Sequence, residues 1–291
     1  MSREYERWPE LTYEAWKDTQ ATLHMWTQIV GKVRLAQTPW RNHAWHVALY
    51  VTPRGLTTSA IPHGNEVFSI DFDFLSHLLK VRVSDGGTKD LRLEPMTVAV
   101  FYREVMTALE SLGVPVSIHG SPNEVDPAIP FAEDTEHASY DADAATRFWR
   151  ALFQTDRVFK QFQTGFLGKV SPSHFFWGSF DHAVTRFSGR PAPLHPGGLP
   201  NMPLVVAQEA YTHEVSSAGF WPGGEMFPEP IYYSYAYPSP EGFAEAKVQP
   251  AAARFEEALG EVVLPYEAVR TSDDPPGALL AFLQSTYDAA A

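Results

Sequence analysis

Two neighbouring stretches hold most of the side chains able to move protons or hold charged groups. They are SPSHFFWGSFDHAVTRFSGR at residues 171–190 and YTHEVSSAGFWPGG at 211–224. They set His174, Asp181, His182, Arg186, Arg190, His213 and Glu214 among Phe176, Trp177, Phe180, Phe220 and Trp221. Ionisable groups among large aromatics point to a concave, partly dry site rather than a solvated face. In the catalytic reading, His174, His182 and His213 are general acid–base groups or ligands of a divalent metal. Asp181 or Glu214 is their carboxylate partner. Arg186 and Arg190 then anchor an anionic group, with Tyr211, Trp177 and Trp221 as ligand-binding walls.

The blander alternative is that the same imidazoles and guanidinium groups satisfy backbone or carboxylate partners in a polar seam. Taken as one strand, residues 174–187 place His174, Phe176, Phe180, His182 and Arg186 on one face. Trp177, Asp181 and Thr185 fall on the other, with Gly178 where a bulge would change the phase. His213 and Glu214 are adjacent in an extended segment and point to opposite faces. They are not a zinc-protease signature, since no histidine follows four places after His213.

Elsewhere the chemistry is thinner. His43 and His46 are three apart, a spacing for a metal pair on a turn or helix but not on a strand. Arg54 is a counterpart of Arg190 in the first half. IYYSYAY at 231–237 puts Ile231, Tyr233, Tyr235 and Tyr237 on one face, either a stacking surface or the half-exposed face of a sheet. The acidic run 132–143 reads as the lead-in to a helix N-terminus. Phosphate-loop, dinucleotide-binding and nucleophile-elbow signatures are missing.

The chain has 291 residues, 44% hydrophobic and 20% charged, enough to build a substantial core. It has no cysteine, which excludes disulfides, thiolate metal sites and a cysteine nucleophile. With 22 basic against 35 acidic side chains, the net charge of −13 repels phosphate backbones and anionic lipid. Nucleic-acid and membrane partners are therefore not expected. The polar start and the lack of a long apolar run lead us to expect a cytoplasmic protein without signal peptide or membrane span.

These groups need positioning elements. Apolar spacing predicts a helix over 13–30 stopped by Gly31, a second from Pro95 to Gly113, a third over 141–166 and a last over 276–290. Segments 242–259 also read as helical. Strands are expected at 46–51, 66–74, 78–83, 90–93, 114–119, 174–187, 204–217, 231–237 and 261–265. This is an α+β pattern, mainly antiparallel sheet flanked by helices. Short matches recur in order: GKV at 31–33 and 168–170, Trp40 and Trp177, ALYVTPRG at 48–55 and AVTRFSGR at 183–190. IPHG at 61–64 and LHPG at 194–197 follow, then EVFSID at 66–71 and EAYTHE at 209–214. They suggest internal duplication of a helix–strands–helix unit. We expect a first unit at 1–120, a Pro-rich acidic link at 121–140 and a second unit with a C-terminal helix at 141–291, packed as one body.

The blocks HFFWGSFDHAVTRFSGR, YTHEVSSAGFWPGG, PFAEDTEHASYD and LHMWTQIVGKVRLA resemble those of an uncharacterised bacterial family, a domain of unknown function, from about Trp8 to Ala290. The resemblance implies a soluble bacterial protein and supplies no catalytic residues. The expected function is a small-molecule enzyme with a His/carboxylate/Arg cleft, possible metal assistance and an anionic or polar substrate. A non-catalytic binder of a small ligand, or an interaction protein, is the alternative.

Overall fold

The computed structural model describes residues 7–198 and 200–291. The segment 1–6 of the polar start lies outside them, as does Leu199 in the proline-rich 190–203 loop. The described residues form two antiparallel sheets packed on long helices, an α+β architecture. In the first half, α1 (Tyr13–Gln37) leads into β1 (Tyr50–Thr52), β2 (Gly55–Thr57), β3 (Ile61–His63), β4 (Glu66–Asp73), β5 (Leu78–Val83) and β6 (Thr88–Arg92). They pair in the order β1-β2-β4-β5-β6, with β3 on β4, and α2 (Val98–Ser111) follows.

The second half also runs from a long helix into strands, but a short helix interrupts them and two helices follow. After α3 (Ala142–Thr164) come β7 (His174–Phe176), β8 (Asp181–Pro191), a short α4 (Leu204–Ala210), β9 (His213–Trp221), β10 (Ile231–Tyr237), β11 (Arg254–Glu256) and β12 (Glu261–Pro265). The sheet order is β11-β12-β10-β9-β8-β7, and α5 (Tyr266–Arg270) and α6 (Pro275–Ala290) close the chain. The recurring sequence matches land on different elements, however. The first GKV is inside α1 and the second lies beyond α3; IPHG is β3, and LHPG is loop.

Local chemistry accounts for the helix boundaries. Asp141 caps α3 by accepting from the Ala144 amide at 3.0 Å, and Asp274 caps α6 by accepting from the Gly277 amide at 3.1 Å. Thr97 caps α2, and Gly113 beyond its end has φ +73°. Gly31 does not stop α1, which continues to Gln37. A Cβ there would lie 2.2 Å from the Trp177 ring, so the glycine serves close packing instead.

Three further expectations are corrected. Segment 204–217 is not one strand: Pro203 precedes a short helix, and the strand begins at His213. The stretch 242–259 is turns and the short β11 rather than helix, with Pro250 unable to supply a helical N–H. Residues 114–119 run without ladder partners.

One core of buried side chains runs through both halves. Trp26 of α1 stacks on Phe101 of α2 at 4.5 Å, and Phe101 on Phe72 of β4 at 6.5 Å. Helix α3 touches both sheets. Thr146 Oγ1 donates to Phe74 O and Trp149 Nε1 to Thr52 O in the first; Phe159 stacks on His182 and Thr155 bonds Tyr232 in the second. No helix among the described residues is long and apolar enough to cross a membrane.

At the end of β4, the buried Asp73 carboxylate accepts from Arg54 Nε and Lys80 Nζ, both at 2.6 Å, and from the Leu75 and Ser76 amides at 3.0 Å. Burial opposes its charge, but these donors outweigh it and hold the carboxyl well below the usual range. A depressed folded pKa stabilises above the unfolded value and loses that contribution as pH falls. Asp73→Asn is expected to cost about 2–4 kcal/mol at neutral pH. Thermal unfolding should show wild type losing this advantage below about pH 4, with the variant's stability flatter there.

Candidate functional site

The 174–187 stretch is a hairpin, not a strand. The chain reverses at Trp177–Phe180, with Phe180 at φ +59°. In the resulting register His174 faces Ala183, and Phe175 faces His182. Paired residues share a face, so His174 and His182 point to opposite sides of the sheet.

His182 and Arg186 project onto the helical side. His182 is fully buried, stacked on Phe159 at 5.3 Å and 3.6 Å from Asp156 Oδ1. Burial disfavours the Asp156 charge, but contacts from His182, Lys160 and Ser173 bring its carboxyl down to about 2. The Arg186 guanidinium lies 3.4 Å from the Phe162 ring centroid and 4.4 Å from that of Tyr287, and donates to Phe162 O at 2.6 Å. It serves the junction of β8, α3 and α6. Arg190 and Glu214 pair at the surface at 2.6 Å.

The other expected residues also separate. His213 is seven residues from Phe220, the partner of His182, which amounts to roughly 20 Å along the strand. One metal cannot take both. Among the described residues no three His, Asp or Glu side chains are grouped to hold a metal ion. His174 is buried among Trp45, Tyr50 and Phe176, and burial pushes its imidazole down to about 3. Trp177 is buried against α1 and donates to Val47 O at 2.8 Å.

What does converge lies on the outer face of the second sheet. Tyr233 of β10 is aligned with Gly219 of β9, and Gly219 with Ala183 of β8. The Tyr233 ring lies over Gly219, where a Cβ would come within 2.3 Å of it, and its hydroxyl donates to Asp181 Oδ2. Ser179 Oγ donates to the other Asp181 oxygen. Next to Tyr233, the Tyr235 hydroxyl is 2.7 Å from that of Tyr211. Trp221 packs beside Tyr233, with Ile231 and Val263.

Two more carboxyl groups face Asp181. Glu124 comes from the loop after α2, in a left-handed conformation of φ +58°, and its carboxyl lies where a Cβ on Gly178 would sit. Glu261 begins β12. Burial, and then the charge of Asp181, push both Glu124 and Glu261 up to about 7. Burial raises Asp181 as well, against the hydrogen bonds from Ser179 and Tyr233. Burial also lifts Tyr233 and Tyr235 far above their ordinary value, which keeps them protonated donors. Asp181 is 6% exposed, whereas Glu124, Glu261, Tyr211 and Tyr235 are half-buried, so the group opens outward through these four.

A polar stripe on α1 holds the near wall. His24 Nε2 is 2.8 Å from Gly178 O. Gln28 clamps Asn123, donating to its carbonyl and accepting from its amide, both at 2.8 Å. Lys32 donates to the Asn123 side chain, and burial lowers its ammonium to about 8. The neighbours Asn123 and Glu124 are thus fixed from behind.

Sequence reasoning picked out Asp181, Tyr211 and Trp221 and described the tyrosine face of β10, but it missed Glu124 and Glu261. Glu124 sits in a proline-rich link with no periodicity, and Glu261 is one of many acidic residues in the chain, with no motif around it. The tyrosine row was the available signal, since its hydroxyls require buried partners.

Replacing Gly219 by alanine is expected to push Tyr233 off Asp181 and cost about 1–3 kcal/mol. Chemical denaturation measures the loss, and pairing the change with Tyr233→Phe should give less than the sum of the two.

The profile of the family of unknown function DUF5996 matches residues 8–291. No curated protein and no solved structure matches the chain. The match covers nearly the whole sequence, and the chain therefore belongs to the family of unknown function DUF5996.

Proposed function

We propose that the outer-face cleft of the second sheet takes a polar small molecule, neutral or cationic, and performs acid–base chemistry on it. The observation that carries this reading is the convergence of Asp181, Glu124 and Glu261 with the hydroxyls of Tyr211, Tyr233 and Tyr235. Carboxyl groups poised near 7 exchange protons at neutral pH without a large driving-force penalty. In this reading Glu124 and Glu261 are the proton donor and acceptor. Asp181, held by Ser179 and Tyr233, supplies the fixed negative charge that keeps their protons on.

The tyrosines give flat walls and hydroxyl donors, a lining suited to hydroxyl- or amine-bearing ligands. An anionic ligand in this cleft would meet three carboxyl groups and no guanidinium, because Arg186 and Arg190 are engaged elsewhere. Of the sequence expectations, the enzyme with a polar substrate is retained. The anionic variant is not proposed for this cleft.

The test is direct titration of the side-chain carboxyls by carbon-detected NMR. Glu124 and Glu261 should titrate near 7, and Asp181→Asn should return both toward the ordinary value of about 4.3. Ordinary titration of both in the unaltered protein would sink the reading. Thermal shifts with alkylammonium ions and simple sugars, abolished by Asp181→Asn, would then give the ligand class.

Stability should follow the same groups. A carboxyl with a raised folded pKa favours the folded state fully below the unfolded value, and the advantage disappears as pH rises to the folded pKa. Wild-type stability should thus decline from about pH 4.3 to about 7. The Glu124→Gln/Glu261→Gln variant should lack this decline. At pH 8 it should gain about 1–2 kcal/mol per group, allowing for partial exposure.

A further inference from the structure

A second cluster lies away from the carboxyl cleft, where the turn after α1 meets β8, the start of β9 and the end of α4. Lys169, on the segment between α3 and β7, places Nζ 2.8 Å from His43 Nε2. The His43 Nδ1 is 3.1 Å from Ala210 O, so Nδ1 carries the ring proton and Nε2 offers its lone pair to the ammonium. The same ammonium lies 5.2 Å from the Trp45 ring centroid and 4.8 Å from that of Phe187. His213 stands beside His43, the two ring centroids 6.1 Å apart. The His213 Nδ1 is used locally, 3.0 Å from Thr212 Oγ1.

No acidic side chain answers this charge among the described residues. Lys169 has its His43 and aromatic contacts and no ion pair. Glu209 on α4 is occupied by Trp40 Nε1 at 2.6 Å, and Glu214, next to His213, by Arg190 and Ser188. In a chain of net charge −13, a lysine held in an aromatic slot without a carboxylate is an anomaly. The backbone adds a second one. His43 and Ala44 are consecutive residues at φ +61° and +56°, a strained pair that the surrounding contacts must enforce.

We propose that Lys169 and His213, with His43 as the positioning acceptor, form a binding site for a small oxyanion, a phosphate or carboxylate group. Lys169 is exposed and keeps two N–H donors after bonding His43, and His213 adds its Nε2 side. The aromatic slot and His43 hold the ammonium in place in advance, which lowers the entropy lost on binding. This site differs from the carboxyl cleft in charge, one collecting anions and the other repelling them, and it borders the cleft where Tyr211 stands between Ala210 and Thr212.

The experiment is titration of the intact protein with inorganic phosphate and, separately, acetate, followed by the ring resonances of His213 and His43. Saturable shifts of both rings are expected. Lys169→Met should weaken binding by about tenfold or more and His213→Gln by several-fold. Arg254→Gln, a surface change on β11, should leave it unaltered. A preference for phosphate assigns a phosphoryl group and a preference for acetate a carboxylate, and either supports the site. Because Lys169 is at the surface, its variant should fold, which unchanged thermal unfolding would verify. The proposal is overturned if neither anion moves the rings, or if Lys169→Met binds as tightly as the unaltered protein.

Discussion

The structure depends most on a set of polar groups buried inside it. Helix α1 is enclosed along most of its length, and one stripe of it carries Gln20, His24, Gln28 and Lys32 where an ordinary core helix would be apolar. Each finds its partner on a loop or turn outside the first sheet: Gly178 and Gly223 in the second half, and Asn123 in the link between the halves. Gln20 donates to Gly223 O at 2.6 Å, His24 contacts Gly178 O, and Gln28 and Lys32 hold Asn123. Leaving such groups unpaired would cost more than the bonds gain, so the stripe acts as a registration device. It sets where Glu124 and the turn before Asp181 stand relative to the sheet.

A division of labour between the two faces of the second sheet follows. The helical face is occupied by Phe220, Tyr232, Val184, His182 and Arg186; α3 brings Asp156 to 3.6 Å from His182 and accepts from Arg186 through Phe162 O. The outer face has loops for cover, and there the carboxyls and tyrosines meet. Burial, and then the charge of Asp181, raises the proton affinity of Glu124 and Glu261 beside it. Asp181 is given the best donors, and the two glutamates accept the cost as higher proton affinity. The titration of any one therefore belongs to the set.

How much of this could be read from the chain alone depends on the kind of signal. Long amphipathic segments were legible: α2, α3 and α6 fall within a few residues of the expected 95–113, 141–166 and 276–290, and β10 and β12 match the expected 231–237 and 261–265. Gly31 misled because a glycine that makes room for an indole looks like one that ends a helix. The 174–187 stretch misled more seriously. Its reversal is centred on Gly178-Ser179, a turn pair that also reads as the place for a bulge, with Phe180 in a left-handed conformation, and that reversal sends His174 and His182 apart. Asp181, Tyr211 and Trp221 were found because they sit in an aromatic, ionisable block. Glu124 and Lys169 were not singled out as site residues, since their roles arise from contacts more than 50 residues away in sequence, with Gly178 and His43.

The reach of α3 has a practical consequence. Its first turns serve one sheet through Thr146 and Trp149, and its later turns serve the other through Thr155 and Phe159. A cut in the link before it would take from the first sheet the contacts of Thr146 and Trp149 and leave it only α1 and α2 for helical cover. One helix thus ties both sheets, so a change in its packing against either is felt by the other.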